Sequence, residues 1–121
     1  MNLECIFCRI IAGTSPATFV SQWADFVAII PLNPVVAGHT LVIPRQHVAD
    51  FTTEPHVTGE TMSRAAELVR ELGLAPANLI TSAGREATQS VWHLHVHVVP
   101  RLANDGLALP WHSGIHEKAT P

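Results

Sequence analysis

Residues 91–100, VWHLHVHVVP, alternate histidine with aliphatic side chains, and this stretch constrains the fold more than any other. Strict alternation predicts a β-strand with one apolar face and one polar face. Leu94, Val96 and Val98 would then face a core, while the histidines would line a surface, a cleft or a site. The reason is that every ring nitrogen of a buried histidine needs a hydrogen-bond partner.

The rest of the sequence predicts an α+β fold around that strand. Apolar residues at helical spacing predict a short helix between Cys5 and Gly13 and a long amphipathic helix from about residue 53 to Leu72. ATFVSQW and FVAII have the composition of a strand hairpin, and TLVIP and ANLITSAG that of two further strands. The order of these elements predicts an antiparallel sheet of about five strands.

Composition limits the partners and the location of the chain. Its 121 residues predict one domain, with a core at about 5–101 and an irregular tail at 102–121. The net charge is −3 with no run of like charge, so we expect neither nucleic acid nor a membrane surface as partner. Residues 1–10 do not resemble a signal peptide, and no segment has transmembrane length, which predicts a cytoplasmic protein.

Cys5 and Cys8 are the only cysteines and form a C-x-x-C pair. In a cytosolic chain such a pair is more typical of a metal or redox site than of a structural disulfide. The alternative is that both are small buried apolar residues of the first helix.

The three histidines leave two chemical interpretations open. Alternate residues on a strand lie about 7 Å apart, so all three cannot readily bind one ion, although one or two can. A histidine that attacks phosphorus needs one free ring nitrogen and its other ring nitrogen held as a donor. Flanking rings would then donate to the phosphoryl oxygens.

HLHVHVVP at 93–100, with CIFCRIIAG at 5–13 and NPVVAGHTLVIPRQH at 33–47, resembles the histidine triad (HIT) superfamily and its Hint-like bacterial branch. The resemblance implies a homodimer across which the sheet continues, and a purine nucleotide substrate. It further implies hydrolysis or transfer at the α-phosphorus of nucleotidyl phosphoramidates or related adenylylated compounds, through a covalent nucleotidyl-histidine intermediate.

Site residues carried over by the resemblance fall into three groups. Those implied for catalysis are the nucleophile His95, its phosphate-contacting partner His97, the supporting His39 and the donor Ser90. Those implied for substrate binding are Gln89, Ser90, His97, Leu32, Ile29 and Asn33. A structural zinc that the chemistry does not require is implied on Cys5, Cys8, His47 and His93.

Two positions depart from the family pattern. Pro31 stands where the family has an acidic residue that holds the ribose, and Ser82 stands where an asparagine is usual. A proline side chain accepts no hydrogen bond from a sugar. These departures keep a nucleotide-binding module with little turnover as an alternative, beside a dinucleoside polyphosphate hydrolase and a zinc hydrolase that uses the triad as ligands.

Overall fold

The computed structural model of the chain describes residues 2–115, which form one antiparallel sheet with a helix on each face. Residues 116–121 of the predicted tail lie outside the described residues. The strand order is β1-β2-β3-β5-β4, which confirms the predicted fold class. The elements are α1 Ile6–Ala12, β1 Thr18–Gln22, β2 Phe26–Ile30, β3 Thr40–Pro44, α2 Pro55–Leu72, β4 Ala77–Ile80, a 3₁₀ turn Arg85–Ala87 and β5 Val96–Pro100.

The two faces of the sheet bury two separate apolar clusters because alternate strand residues point to opposite sides. β3 is buried along its whole length, and β2 along all but its last residue, so these strands serve both faces. The cluster beneath α1 contains Cys5, Phe7, Cys8, Ile10, Val27, Ile29, Leu41 and Ile43. The cluster beneath α2 contains Ala28, Val42, Ala65, Leu68, Val96 and Val98.

Both predicted helices are confirmed. α1 begins after Cys5, its N-cap, and ends at Gly13, whose φ of 81° is the left-handed conformation that glycine favours. α2 starts at Pro55, about two residues later than predicted, and ends before Gly73. No helix within residues 2–115 combines the length and the apolar character needed to cross a membrane.

The strand predicted over residues 91–100 is shorter than expected. β5 begins only at Val96, because the backbone groups before it bond outside the ladder. The Leu94 N–H donates to the Val48 carbonyl at 2.8 Å, and the Thr81 hydroxyl donates to the His95 carbonyl at 2.8 Å. The prediction that three histidines share one strand face is therefore wrong, since only His97 lies on the strand.

Residues 101–115 form neither a helix nor a ladder strand, apart from one isolated bridge between Leu109 and His112. Arg101 anchors the start of this tail, because its guanidinium binds Asp105 at 2.7 Å and Asn78 of β4 at 2.8 Å. The beginning of the tail is thereby fixed against an edge strand of the sheet.

Candidate active site and metal site

Four sulfur and nitrogen ligands come together at the N-terminus of α1. The helix supplies Cys5 and Cys8, the loop after β3 supplies His47, and the segment before β5 supplies His93. Their ligand atoms all lie within 4.8 Å of one another. Within residues 2–115 this is the one group of three or more such side chains with a geometry fit for a metal.

The distances match the edges of a coordination tetrahedron. The Cys5 Sγ lies 3.4 Å from the His93 Nδ1, and the Cys8 Sγ lies 3.3 Å from the His47 Nδ1. The two Nδ1 atoms are 3.1 Å apart. Metal–sulfur bonds of about 2.3 Å and metal–nitrogen bonds of about 2.0 Å give tetrahedral edges of about 3.3 to 3.8 Å. The four residues are therefore positioned to hold a metal.

Neighbouring groups prepare these ligands for a cation. The His93 Nε2–H donates to the Pro44 carbonyl at 2.8 Å, which leaves the lone pair of its Nδ1 facing the cluster. Burial, together with the neighbouring His47 and His95 rings, lowers the pKa of His93 to about 4, so its imidazole is neutral at pH 7. Burial also raises the pKa of the Cys5 thiol, and a cation would reverse that effect.

A second histidine cluster lies along β3 and β5 and consists of His39, His95 and His97. The Val35 N–H donates to the His39 Nδ1 at 3.1 Å, so the hydrogen of that neutral ring is on Nε2. That Nε2 donates in turn to the His97 Nδ1 at 3.0 Å. The remaining ring hydrogen of His97 is consequently on Nε2, where it can donate to a substrate.

His95 has the opposite tautomer. Its Nδ1–H donates to the His93 carbonyl at 2.8 Å, so its Nε2 carries a lone pair. The His95 and His97 rings are 5.1 Å apart between centroids. A nitrogen lone pair and an N–H donor therefore stand on neighbouring rings, an arrangement suited to attack on an electrophile whose oxygens accept a hydrogen bond.

All three rings of this second cluster are predominantly neutral at pH 7. Burial lowers the pKa of His39 and of His95 below its usual value. Burial, together with the charges that His95 and His39 would carry, lowers the pKa of His97 to about 4. Because a protonated imidazole has no free lone pair, these shifts preserve the nucleophilic form of His95.

The two clusters meet at His93 and Phe7. His93 is a ligand of the metal cluster through its ring, and its carbonyl orients the His95 ring. Phe7 lies between the two cysteines in sequence and contacts both rings edge-on. Its ring centroid is 5.9 Å from that of His93 and 5.0 Å from that of His95. Direct contacts therefore connect the metal cluster to the second cluster.

Gln89 and Ser90 lie on the segment that leads to the histidines. The buried Gln89 amide donates to the Ala49 carbonyl at 2.7 Å and accepts from the Gly84 N–H at 2.9 Å, which closes the loop at 84–89. Ser90 is exposed in a cavity of about 370 Å³, whose lining also includes Ile6 and Trp92. A substrate contact by either residue stays a prediction.

The apolar residues predicted to contact the base differ in exposure. Ile29 is 3% exposed and packs in the cluster beneath α1, whereas Leu32 is 98% exposed in the segment between β2 and β3. Asn33 is exposed in the same segment. Leu32, unlike Ile29, has exposed surface that a base could cover. Substrate contact by Ile29, Leu32 or Asn33 stays a prediction.

Sequence reasoning did not identify three residues that shape the site. Val35 sets the His39 tautomer through a backbone N–H, which its side chain does not signal. Phe7 appeared only as an apolar residue of a helix, and Thr81 only as part of a strand. Phe7 alone had a signal, since its place inside C-x-x-C puts it beside any bound metal.

Comparison with known proteins identifies the family of this site. The family model described as HIT domain matches residues 12–104. Among solved structures, a Zn-bound histidine triad family protein from Mycobacterium smegmatis is 38% identical and superposes with a TM-score of 0.75. That match covers 88% of this chain and 81% of the other.

Two curated relatives have names that state an activity. The adenylylsulfatase HINT3 of Arabidopsis thaliana is 32% identical over 109 residues, which are 86% of this chain and 55% of that protein. The adenosine 5'-monophosphoramidase hnt1 of Schizosaccharomyces pombe is 29% identical over 113 residues, which are 92% of this chain and 85% of that protein.

Proposed function

The chain belongs to the HIT domain family, and from this membership we propose that it is a nucleotide hydrolase or transferase with His95 as nucleophile. The observation that carries the proposal is the pair of opposite tautomers. His95 has its Nδ1–H bound to the His93 carbonyl at 2.8 Å, which leaves Nε2 free to attack. The neighbouring His97 has its Nδ1 occupied by His39, which leaves an N–H free to donate.

The reaction would proceed in two displacements at the α-phosphorus. The Nε2 lone pair of His95 forms a bond to phosphorus while the bond to the leaving nitrogen or oxygen breaks, and the leaving group departs with that electron pair and a proton. Water then attacks the same phosphorus and releases a proton, which replaces the one given to the leaving group, and the N–P bond breaks to restore the His95 lone pair. The His97 Nε2–H donates to a phosphoryl oxygen, and Ser90 is our candidate proton donor to the leaving group.

We propose nucleotidyl phosphoramidates and related adenylylated compounds as the substrate class. The names of the two characterised relatives share an adenosine monophosphoryl group but differ in the group attached to it, an amide in one and a sulfate in the other. A nucleophile that attacks the shared phosphorus accepts both leaving groups. The same argument includes dinucleoside polyphosphates, in which the leaving group is a second phosphate.

Detection of the covalent intermediate tests this proposal. Wild-type protein mixed with adenosine 5'-phosphoramidate and quenched in denaturant should gain the mass of one adenylyl group, and the adduct should disappear as substrate is consumed. His95→Ala should show neither adduct nor turnover. His56→Ala is the matched control because the His56 side chain is 88% exposed on α2. Undiminished turnover by His95→Ala would exclude His95 as the nucleophile.

A nucleotide-binding module with little turnover is the second candidate, and Pro31 favours it. The half-buried Pro31 offers no side-chain acceptor to a ribose. Binding of AMP and hydrolysis of both the phosphoramidate and a dinucleoside tetraphosphate, measured on one sample, separate the candidates. Tight binding without turnover of either compound would favour the module. The role of Pro31 has its own check wherever turnover is measured. Because Pro31 offers the ribose hydroxyls no acceptor, a 2',3'-dideoxy substrate should react nearly as fast as the ribose form.

For the metal cluster we propose a structural zinc ion. Two thiolates and two imidazoles form the closed tetrahedral set typical of structural zinc, and a related protein is described as Zn-bound. When bound, the ion would cross-link α1 to the segments that carry His47 and His93, without taking part in the reaction. Elemental analysis of purified protein should find one zinc per chain, and a different metal would refute this identification.

We also propose a homodimer in which the sheet continues from one copy to the next. β1 and β4 are the edge strands, each with one unpaired side, and Ile80 of β4 is 37% exposed. Light scattering coupled to size-exclusion chromatography should give twice the 13.1 kDa chain mass. A monomer mass at micromolar concentration would contradict the proposal.

A further inference from the structure

The carbonyl oxygen of His95 lies at the end of the β4–β5 ladder. The last residue of β4, Ile80, pairs with His97, and β5 starts at Val96, so no strand among residues 2–115 supplies a partner to the His95 carbonyl. The Thr81 hydroxyl donates to that carbonyl at 2.8 Å instead. This side-chain bond takes the place of the ladder bond that a longer strand would have supplied.

We propose that Thr81 is a positioning residue for His95, an inference that rests on the proposed role of His95 as nucleophile. The bond from the His95 Nδ1 to the His93 carbonyl fixes the ring only relative to its own short segment. Three bonds fix that segment relative to the rest of the domain, one at each of its residues. The His93 Nε2–H donates to the Pro44 carbonyl and the Leu94 N–H to the Val48 carbonyl. At His95 itself the bond is the one from the Thr81 hydroxyl to the carbonyl.

The contact between Thr81 and the His95 carbonyl depends on one hydroxyl group. Thr81 is half-buried beside the sheet edge, and valine has the same shape as threonine but no hydroxyl donor. Removal of the hydroxyl would leave the His95 carbonyl without this partner, and the segment would shift to find another. A displacement of the attacking nitrogen by a fraction of an ångström lowers the rate of attack more than it weakens substrate binding.

Three variants test the inference. Thr81→Val should lower kcat about tenfold with KM changed less than twofold. Thr81→Ser keeps a hydroxyl donor and should recover at least half of the lost kcat. Thr61→Val is the matched control, because the Thr61 hydroxyl donates to the Val57 carbonyl at 2.7 Å on α2, remote from the histidines. It should leave kcat unchanged even where it lowers the melting temperature.

A measurement without substrate separates this inference from the proposed function. In ligand-free protein, ¹⁵N resonances of the His95 ring should form one sharp set in the wild type and in Thr81→Ser, and shift or broaden in Thr81→Val. This result would support positioning even if the wild type turned over none of the substrates. Any one of three results would overturn the inference. They are unchanged ring resonances in Thr81→Val, a loss of kcat that serine does not restore, and an effect confined to KM.

Discussion

The two histidine clusters share one stretch of chain but place their ring hydrogens in opposite ways. In the metal cluster, the two sulfurs and the two Nδ1 atoms converge on one point, with the Nδ1 atoms 3.1 Å apart. In the second, serial cluster each acceptor meets a donor from Val35 through His39 to His97, while the His95 ring donates to the His93 carbonyl.

This difference determines what each cluster requires. Four converging ligand atoms are positioned to hold a metal ion, and we expect such an ion to cross-link the segments that supply them. Within residues 2–115 the serial cluster leaves two atoms without a protein partner, the Nε2 lone pair of His95 and the Nε2–H of His97. We therefore expect the metal cluster to contribute to stability and the serial cluster to reactivity, although three residues separate His93 from His97.

The largest effect should follow from the removal of one ligand of the metal cluster. Cys8→Ser should abolish retention of the metal and lower the free energy of unfolding by about 4 kcal/mol or more, since the remaining ligands lose their common partner. Denaturant unfolding with metal analysis measures both quantities. Chelator-treated wild type should reach the same stability as the variant. Full metal content with an unchanged unfolding midpoint would contradict a structural role.

Breaking the serial cluster should instead affect activity. His39→Leu removes the donor to His97 and should lower kcat about 10- to 100-fold, while metal content stays at the wild-type level. His39→Gln places an amide N–H near the position of the original Nε2 and should restore part of the loss. If leucine and glutamine variants were equally slow, the hydrogen bond to His97 would not be the cause.

A smaller effect should appear as pH dependence of stability. The pKa of His97 is about 4 in the folded chain against a usual 6.5, so between these values the unfolded chain binds the additional proton. The contribution of His97 is therefore complete above pH 6.5 and is lost as the pH falls toward 4. The difference in unfolding free energy between wild type and His97→Asn, measured in excess metal, should decrease as the pH falls from 6.5 to 4. A difference that stays constant with pH would contradict the lowered pKa of His97.

The smallest effect should come from the ring that contacts both clusters. Phe7→Leu removes the edge-on contacts to His93 and His95 and should cost about 1–2 kcal/mol of stability and a few-fold in kcat. Phe51→Leu, a change at a ring that is 38% exposed, should alter neither. A loss of stability with no change in kcat would show that the clusters are independent at this contact.

The sequence predicted the members of both clusters better than their geometry. The C-x-x-C spacing indicated a metal or redox site, and the resemblance supplied His47 and His93, which the structure places beside Cys5 and Cys8. Alternation alone, however, predicted a strand over residues 91–100. The strand begins at Val96 because partners from distant loops capture the preceding backbone groups, and periodicity contains no information about such partners.

The residues that fix the histidine tautomers could not be predicted from the sequence. The His39 tautomer depends on the Val35 N–H, which every residue except proline would supply. The sequence does not indicate the role of Thr81 either, because threonine is common in and next to strands through its β propensity. Recognising either role requires the three-dimensional proximity of residues that are far apart in sequence.

The position of Cys5 links metal exchange to the opening of a helix. Cys5 is the N-cap of α1, and its sulfur accepts the Cys8 N–H at 3.4 Å, so the same atom caps the helix and belongs to the metal cluster. A helix of seven residues is unstable by itself, and its first turn would unwind whenever that sulfur swings away. The rate at which a chelator extracts the ion should therefore level off at the opening rate of α1, however much chelator is added.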